Sequence, residues 1–302
     1  YSLVVVLTTH TTNTSASKMK HFSSLLAYCV LLCGSAFAQA PSSNATGWES
    51  PSFDKFFVMK NRIQSIEVQS YEEIQKTKQP LQATLYEYDP KGNLIHVIET
   101  QQKDTSRIQN FTYTQNGTLT SKVVTDKVWD RNYKSWYRFN RMRKVYQVKS
   151  YELLRNNETM LLDTKQYVYN EDSLLTAVRF LENNRLLRTQ EYEYDEKGRV
   201  ISEAFINRSN IRERKILYTY NNDNQLTRVK TVTGETNVSE YIYVYNELGN
   251  PVEVQWRENG LLIGTVTYDY NDKGLLTRME RSVNEADSPE SVFVRVFDYK
   301  TF

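Results

Sequence analysis

Residues 192–200 read YEYDEKGRV, and the same nine-residue pattern returns along most of the chain. It recurs without gaps as YEYDPKGNL (86–94), YTYNNDNQL (218–226), YVYNELGNP (243–251), YDYNDKGLL (268–276), YVYNEDSLL (167–175) and, more weakly, FTYTQNGTL (111–119). The second aromatic falls at Tyr88, Tyr113, Tyr169, Tyr194, Tyr220, Tyr245 and Tyr270, with consecutive spacings of 25, 56, 25, 26, 25 and 25 residues. The gap of 56 hides one further unit, with Phe139 in the tyrosine place and Val145 in the leucine place. A fixed period of this length is the mark of stacked supersecondary units.

The pattern has a physical reading. Side chains alternate along a strand, so Tyr-x-Tyr puts two rings on one face: Tyr86 with Tyr88, Tyr167 with Tyr169, Tyr192 with Tyr194, Tyr218 with Tyr220, Tyr243 with Tyr245 and Tyr268 with Tyr270. Asp89-Pro90-Lys91-Gly92 is a type I turn followed by a glycine in the left-handed region, a common hairpin closure. Asp195–Gly198, Asn246–Gly249 and Asn271–Gly274 repeat it, and Gly117 does so after Thr114. Asn224 tolerates that backbone, whereas Ser173 and Arg143 fit it poorly, so their turns are expected to be irregular. Pairing across the turn is expected to set Leu94 opposite Tyr88 and His96 opposite Tyr86. Val97, Val178, Val229, Val254 and Met279 then fall on the other face.

The expected fold is all-β: about eight antiparallel hairpins of about 25 residues in one long twisted or coiled meander sheet. A degenerate unit starts the array at Phe57, with Ile63 in the leucine place, and a half-unit, Phe293 to Tyr299, ends it. No segment shows a helical period.

Ahead of the repeats, Met19 opens a pattern of charge, apolar run and small-residue cleavage site (Lys20, Phe22–Leu32, Ala36-Phe37-Ala38) that reads as a signal peptide over 19–38. Residues 1–18 are expected to be upstream, non-native translation, 39–54 a flexible linker and 55–302 a single repeat domain. The expected address is therefore exported: secreted, periplasmic or at the outer cell surface. The apolar run is too short to cross a bilayer, so no transmembrane segment is expected. Both cysteines, Cys29 and Cys33, precede residue 39, and the remainder must be stable without disulfides.

Lys18 and Lys20 are the only charged residues before Ala38, which leaves 36 basic against 36 acidic residues in the rest. Such balance argues against a nucleic-acid partner. With no cysteine and one histidine, His96, beyond the leader, there is no metal-ligand set, and no cofactor motif is present. Catalysis is not expected; a glycosidase with paired carboxylates is the enzyme class that composition leaves open.

The Tyr-x-Tyr-Asp/Asn-x-x-Gly-x-Leu unit resembles the YD repeat, also called the RHS repeat, over about Phe57 to Arg281. The resemblance implies an exported protein built of β-hairpin strips. Large members wind such strips into a shell around cargo. This chain departs from them in its few units and in lacking their Asp/Pro-rich self-cleaving motif and variable C-terminal domain. It is more similar to the short secreted members common in Bacteroidota.

The repeat tyrosines are expected to pack between hairpins. Contact with a glycan or surface protein is expected instead from aromatics off the pattern: Trp129, Tyr133 and Trp136, which read as one irregular insertion, and Trp256. The alternative is a structural envelope subunit that assembles through open sheet edges.

Overall fold

The structure is a computed structural model, which describes residues 55–101, 103–155, 158–234, 236–283 and 291–302. The expected signal peptide, upstream segment and linker, and residues 284–290, lie outside the described residues.

After a short helix α1 (Lys55–Lys60), eighteen strands follow among the described residues. They are β1 (Ile63–Ile74), β2 (Thr77–Tyr88), β3 (Leu94–Gln101), β4 (Asp104–Tyr113), β5 (Leu119–Asp126), β6 (Arg131–Phe139), β7 (Val145–Leu153), β8 (Thr159–Tyr169) and β9 (Leu175–Glu182). The second half comprises β10 (Arg185–Tyr194), β11 (Val200–Asn207), β12 (Arg212–Tyr220), β13 (Leu226–Thr233), β14 (Asn237–Tyr245), β15 (Pro251–Glu258), β16 (Leu261–Tyr270), β17 (Leu276–Val283) and β18 (Ser291–Thr301). Each strand pairs antiparallel with its sequence neighbours, and β18 also pairs with β1, from Ile63 opposite Thr301 to Ile74 opposite Ser291. The meander is thus closed into a barrel. Closure corrects two expectations. The last strand is not a half-unit cap, because β1 completes its unit, with Val68 opposite Phe297. Assembly through sheet edges has no open edge to use among these strands, since closure removes edges altogether. Phe57 lies in α1 rather than in a strand. The helix tucks under the β2–β3 turn: a Cβ on Gly92 would stand 2.7 Å from the Met59 side chain, so this glycine answers to packing as well as to its φ of 73°.

The motif turns form as the sequence implies. Gly92 N–H donates to the Asp89 carbonyl at 2.8 Å and Asp89 N–H to the Asn93 carbonyl at 2.9 Å. The Asp89 carboxylate accepts from the Lys91 and Asn93 amides, and Asp195, Asn246 and Asn271 do the same in their own turns. Burial alone would raise the Asp195 carboxyl, but the Arg199 guanidinium and backbone amides hold it below the usual carboxylate range. Arg143 and Ser173 adopt φ of 60° and 65° with the same closing bonds, so their turns are regular, contrary to expectation. The ladder overrides the local preference, at a cost of about 1 kcal/mol for a side chain in the left-handed region. Arg143→Gly should therefore stabilise the barrel by about 0.5–1 kcal/mol, less what glycine loses in unfolded-chain entropy; urea melts that show a loss would refute the strain.

A second irregularity recurs beside every motif turn. Tyr88 pairs with Leu94, but Glu87 pairs with His96, so Ile95 is an extra, bulged residue. Thr120, Thr176, Thr227 and Thr277 fill that place in other units, and each hydroxyl donates to the carbonyl of the residue before the second aromatic. The extra residue shifts the alternation. His96 therefore meets Glu87 (Nδ1 to Oε2, 2.9 Å) on one face, and Val97 sits opposite Tyr86 on the other. Val178, Val229, Val254 and Met279 likewise oppose Tyr167, Tyr218, Tyr243 and Tyr268. The tyrosines and the valines thus share one face, which corrects the two-faced reading.

That shared face is crowded. Met279, Val254, Val229 and Tyr218 are buried, whereas the opposite face carries partly exposed ion pairs such as Arg228–Glu240 (2.5 Å) and Lys215–Glu193 (3.8 Å). Side chains converge on the concave side of a closed sheet and diverge on the convex side, so the tyrosine face is the inner wall. Neither wall is a lipid-facing band. Both carry charge at mid-strand, as Glu203 inside and Lys215 and Lys230 outside, where a lysine facing lipid costs about 2–4 kcal/mol.

Candidate functional site

The inner wall is built as rings. The first ring alternates the second aromatic of each motif with the residue after the turn, as Tyr220 with Leu226 and Tyr270 with Leu276. Its tyrosines have a specific task. The β11–β12 ladder begins at Ser202, so the Val200 carbonyl lies past its end, and Tyr220 OH donates to it at 2.8 Å. Tyr113, Tyr169, Tyr194, Tyr245, Tyr270 and Tyr299 make the equivalent bond to Leu94, Val145, Leu175, Leu226, Pro251 and Leu276, at 2.7–2.9 Å. Each of these seven tyrosines thereby stitches its unit to the one before it, a bond that Phe139 cannot make. Burial pushes the Tyr194 and Tyr220 phenols up to about 12. Tyr220→Phe keeps the ring and orphans the carbonyl, so it should cost about 1 kcal/mol in chemical denaturation; no loss would mean that solvent reaches the Val200 oxygen.

The second ring pairs the first aromatic with an apolar residue, except where Lys122 faces Phe111 and Glu203 faces Tyr192. The third ring no longer follows the motif. Around the wall it holds Thr84 with Glu99, Gln109 with Val124, Ser135 with Ser150, Lys165 with Phe180, Gln190 with Phe205, Ile216 with Thr231, Tyr241 with Trp256 and Val266 with Arg281. The repeat thus fixes two rings and leaves the third free to vary.

Two arcs of the wall carry chemistry. On β8 to β12, Glu203 is 1% exposed; Tyr218 OH and Gln190 Nε2 each donate to its carboxylate at 2.6 Å. Burial raises the carboxyl, and the two hydrogen bonds and Arg214 pull it back only in part, so it stays above the usual range. Beside it Arg214 lies 3.9 Å over the Phe205 ring and Arg188 4.5 Å over Phe180, with Lys165 on the same ring at 5.6 Å. On β14 to β17, Trp256 stacks on Tyr241 with ring centres 6.4 Å apart and planes 12° from parallel. Arg281 sits 5.2 Å over the indole, whose buried Nε1 has no hydrogen-bond partner. No described His, Cys, Asp or Glu group of three or more is placed to hold a metal ion. The buried carboxylate is held by a phenol and an amide rather than by a second carboxylate.

The four aromatics expected to bind are not brought together. Residues 127–130 are an ordinary turn and β6 is a regular strand, so the insertion read around 129–136 does not exist; the extra length of that stretch lies in the β7–β8 hairpin. Trp129 stands at the turn, 67% exposed. Tyr133, opposite Val124, is on the inner wall, and Trp136 is outside, with Lys134 Nζ 4.0 Å over its ring. Trp256 alone lies in the third ring. The residue that sequence reading missed is Glu203, and its signal was available: a carboxylate in the place where other units carry valine.

No family model matches the chain, and no curated protein does. Among solved structures it is similar to a porin-like protein from Bacteroides uniformis, with a TM-score of 0.41 and 13% identity over 79% of this chain and 98% of that one. A porin-like protein from Bacteroides vulgatus gives 0.27 and 14% over 80% and 99%. The complex TcdB2-TccC3 without its hypervariable C-terminal region gives 0.34 and 13% over 70% of this chain and 15% of that one. Likeness at this level decides nothing about a ligand; the closed barrel rests on its own strand register.

Proposed function

We propose that this chain is a short YD-repeat protein of the cell envelope that acts by binding, holding a glycan or an envelope partner against the inner wall of its barrel. The observation that carries this reading is the contrast along the wall: the first two rings are nearly constant and committed to packing and interstrand bonds, broken by Lys122 and the buried Glu203, while the wall beyond them varies from hairpin to hairpin and carries Trp256, Arg281, Arg188 and Arg214. The ring of second tyrosines is not the binding surface, because its hydroxyls are spent on carbonyls. The leader pattern over residues 19–38 supports the exported address. Of the expected aromatics, Trp256 and Tyr133 line the wall and Trp129 stands at its far rim.

A glycan array probed with the full chain tests it. Trp256→Ala should abolish the signal and Trp136→Ala, on the outer face, should leave it intact. A blank array together with no capture of isolated envelope polysaccharide would end the reading.

A further inference from the structure

We infer that Arg188 and Arg214 form a subsite for an acidic polysaccharide, a sugar chain bearing carboxylate or sulfate groups. The inference rests on the binding reading above and names its ligand class. Both guanidiniums lie over phenyl rings, and neither makes an ion pair within 4 Å among the described residues. A guanidinium that uses its face on a ring keeps its N–H edge for a planar oxyanion. Burial most strongly lowers the affinity of Arg214 for its proton, Glu203 beside it raises that affinity and Arg188 lowers it; on Lys165 burial and Arg188 likewise act downward against Asp163. Repulsion among these three cations is a standing cost, offset in part by Glu203 and Asp163, that a bound anion relieves further.

The spacing favours a chain over a single ion. Lys165, Arg188 and Arg214 stand on β8, β10 and β12, alternate strands, so their backbones step by about 10 Å across the sheet. That step is close to the rise of two sugar rings, and an acidic polysaccharide carries charges at such intervals. The line continues to the far rim, where Arg185 and Arg208, with Leu186, Leu187 and Glu182 opposite Arg185, border a hollow of about 460 Å³. Nucleic acid is the poorer fit, because the chain beyond residue 38 has no net charge.

Titration calorimetry at low salt with polygalacturonate, dextran sulfate, neutral dextran, poly-glutamate and inorganic sulfate tests the subsite. One or both acidic polysaccharides should bind, and Arg188→Gln with Arg214→Gln should weaken binding at least about tenfold. Arg138→Gln, on the outer face, should change nothing. An unchanged double variant, equal binding of neutral dextran, preference for poly-glutamate, or inorganic sulfate binding as tightly as the polymer would each overturn the proposal. Neutral glycan binding that Trp256→Ala abolishes would do so while leaving the broader binding reading standing. Thermal melts guard against misfolding; Arg188 is exposed and should be tolerated.

Discussion

Ending the chain before Ser291 should abolish cooperative unfolding. The twelve residues removed include β18, which pairs with β17 on one side and β1 on the other. Phe297 is buried on the inner wall and Val294 on the opposite face, and loss of the strand uncovers Met279 and Ile66, both 0% exposed. Two unpaired edges would appear at once, in a sheet whose native form has none, and bare edges recruit other chains. The lost strand therefore removes much of a folding free energy that for domains is about 5–15 kcal/mol, and the product should elute as aggregate. A synthetic peptide spanning Ser291–Thr301, supplied during refolding, should restore a monomeric, cooperatively melting complex. A truncated chain that melts as sharply as the intact one would show that β17 and β1 close the wall unaided.

Glu203 is the second large effect. Glu203→Ala removes the buried acceptor to which Tyr218 OH and Gln190 Nε2 donate and opens a cavity beside Ile216, so it should cost about 3 kcal/mol. Glu203→Gln isolates the charge. Burial holds the folded carboxyl above its unfolded value, so the folded state binds the proton more tightly than the unfolded one. The cost of ionising it is absent below the unfolded value, grows as pH rises toward the folded value and is complete above that. The natural chain should therefore lose stability relative to the Gln variant as pH rises from about 4.5, and the two curves should run parallel at higher pH. Parallel curves across the whole range, measured by urea denaturation from pH 4 to 8, would show that Tyr218 and Gln190 fully offset the burial.

The units were legible because their chemistry is local. Asp195 and Gly198 specify their turn within four residues, and Tyr192 with Tyr194 specify a face within three. Closure was not legible, because β1 and β18 are paired across more than two hundred residues and neither announces its partner. The inner wall was half legible. Tyr86 and Tyr88 were placed rightly on one face, but the bulge at Ile95 moves Val97 to join them, and a bulge adds parity that no alternation rule shows. The supposed aromatic cluster failed on simpler grounds: Tyr133 and Trp136 are three apart, an odd step along a strand, and so must face opposite ways. Phe57 was misplaced because a six-residue helix is too short to display a period.

The meeting of β18 with β1 bears on how such a protein can change over generations. An open solenoid lengthens when a unit is duplicated, and its cross-section stays the same. Here every hairpin adds two strand widths, about 9.6 Å, to the circumference. Gaining or losing one copy must widen or narrow the bore and redistribute every inward side chain around it. Copy number in this architecture is therefore a measure of calibre, and homologues with one hairpin more or fewer should differ in the girth of what they hold rather than in reach.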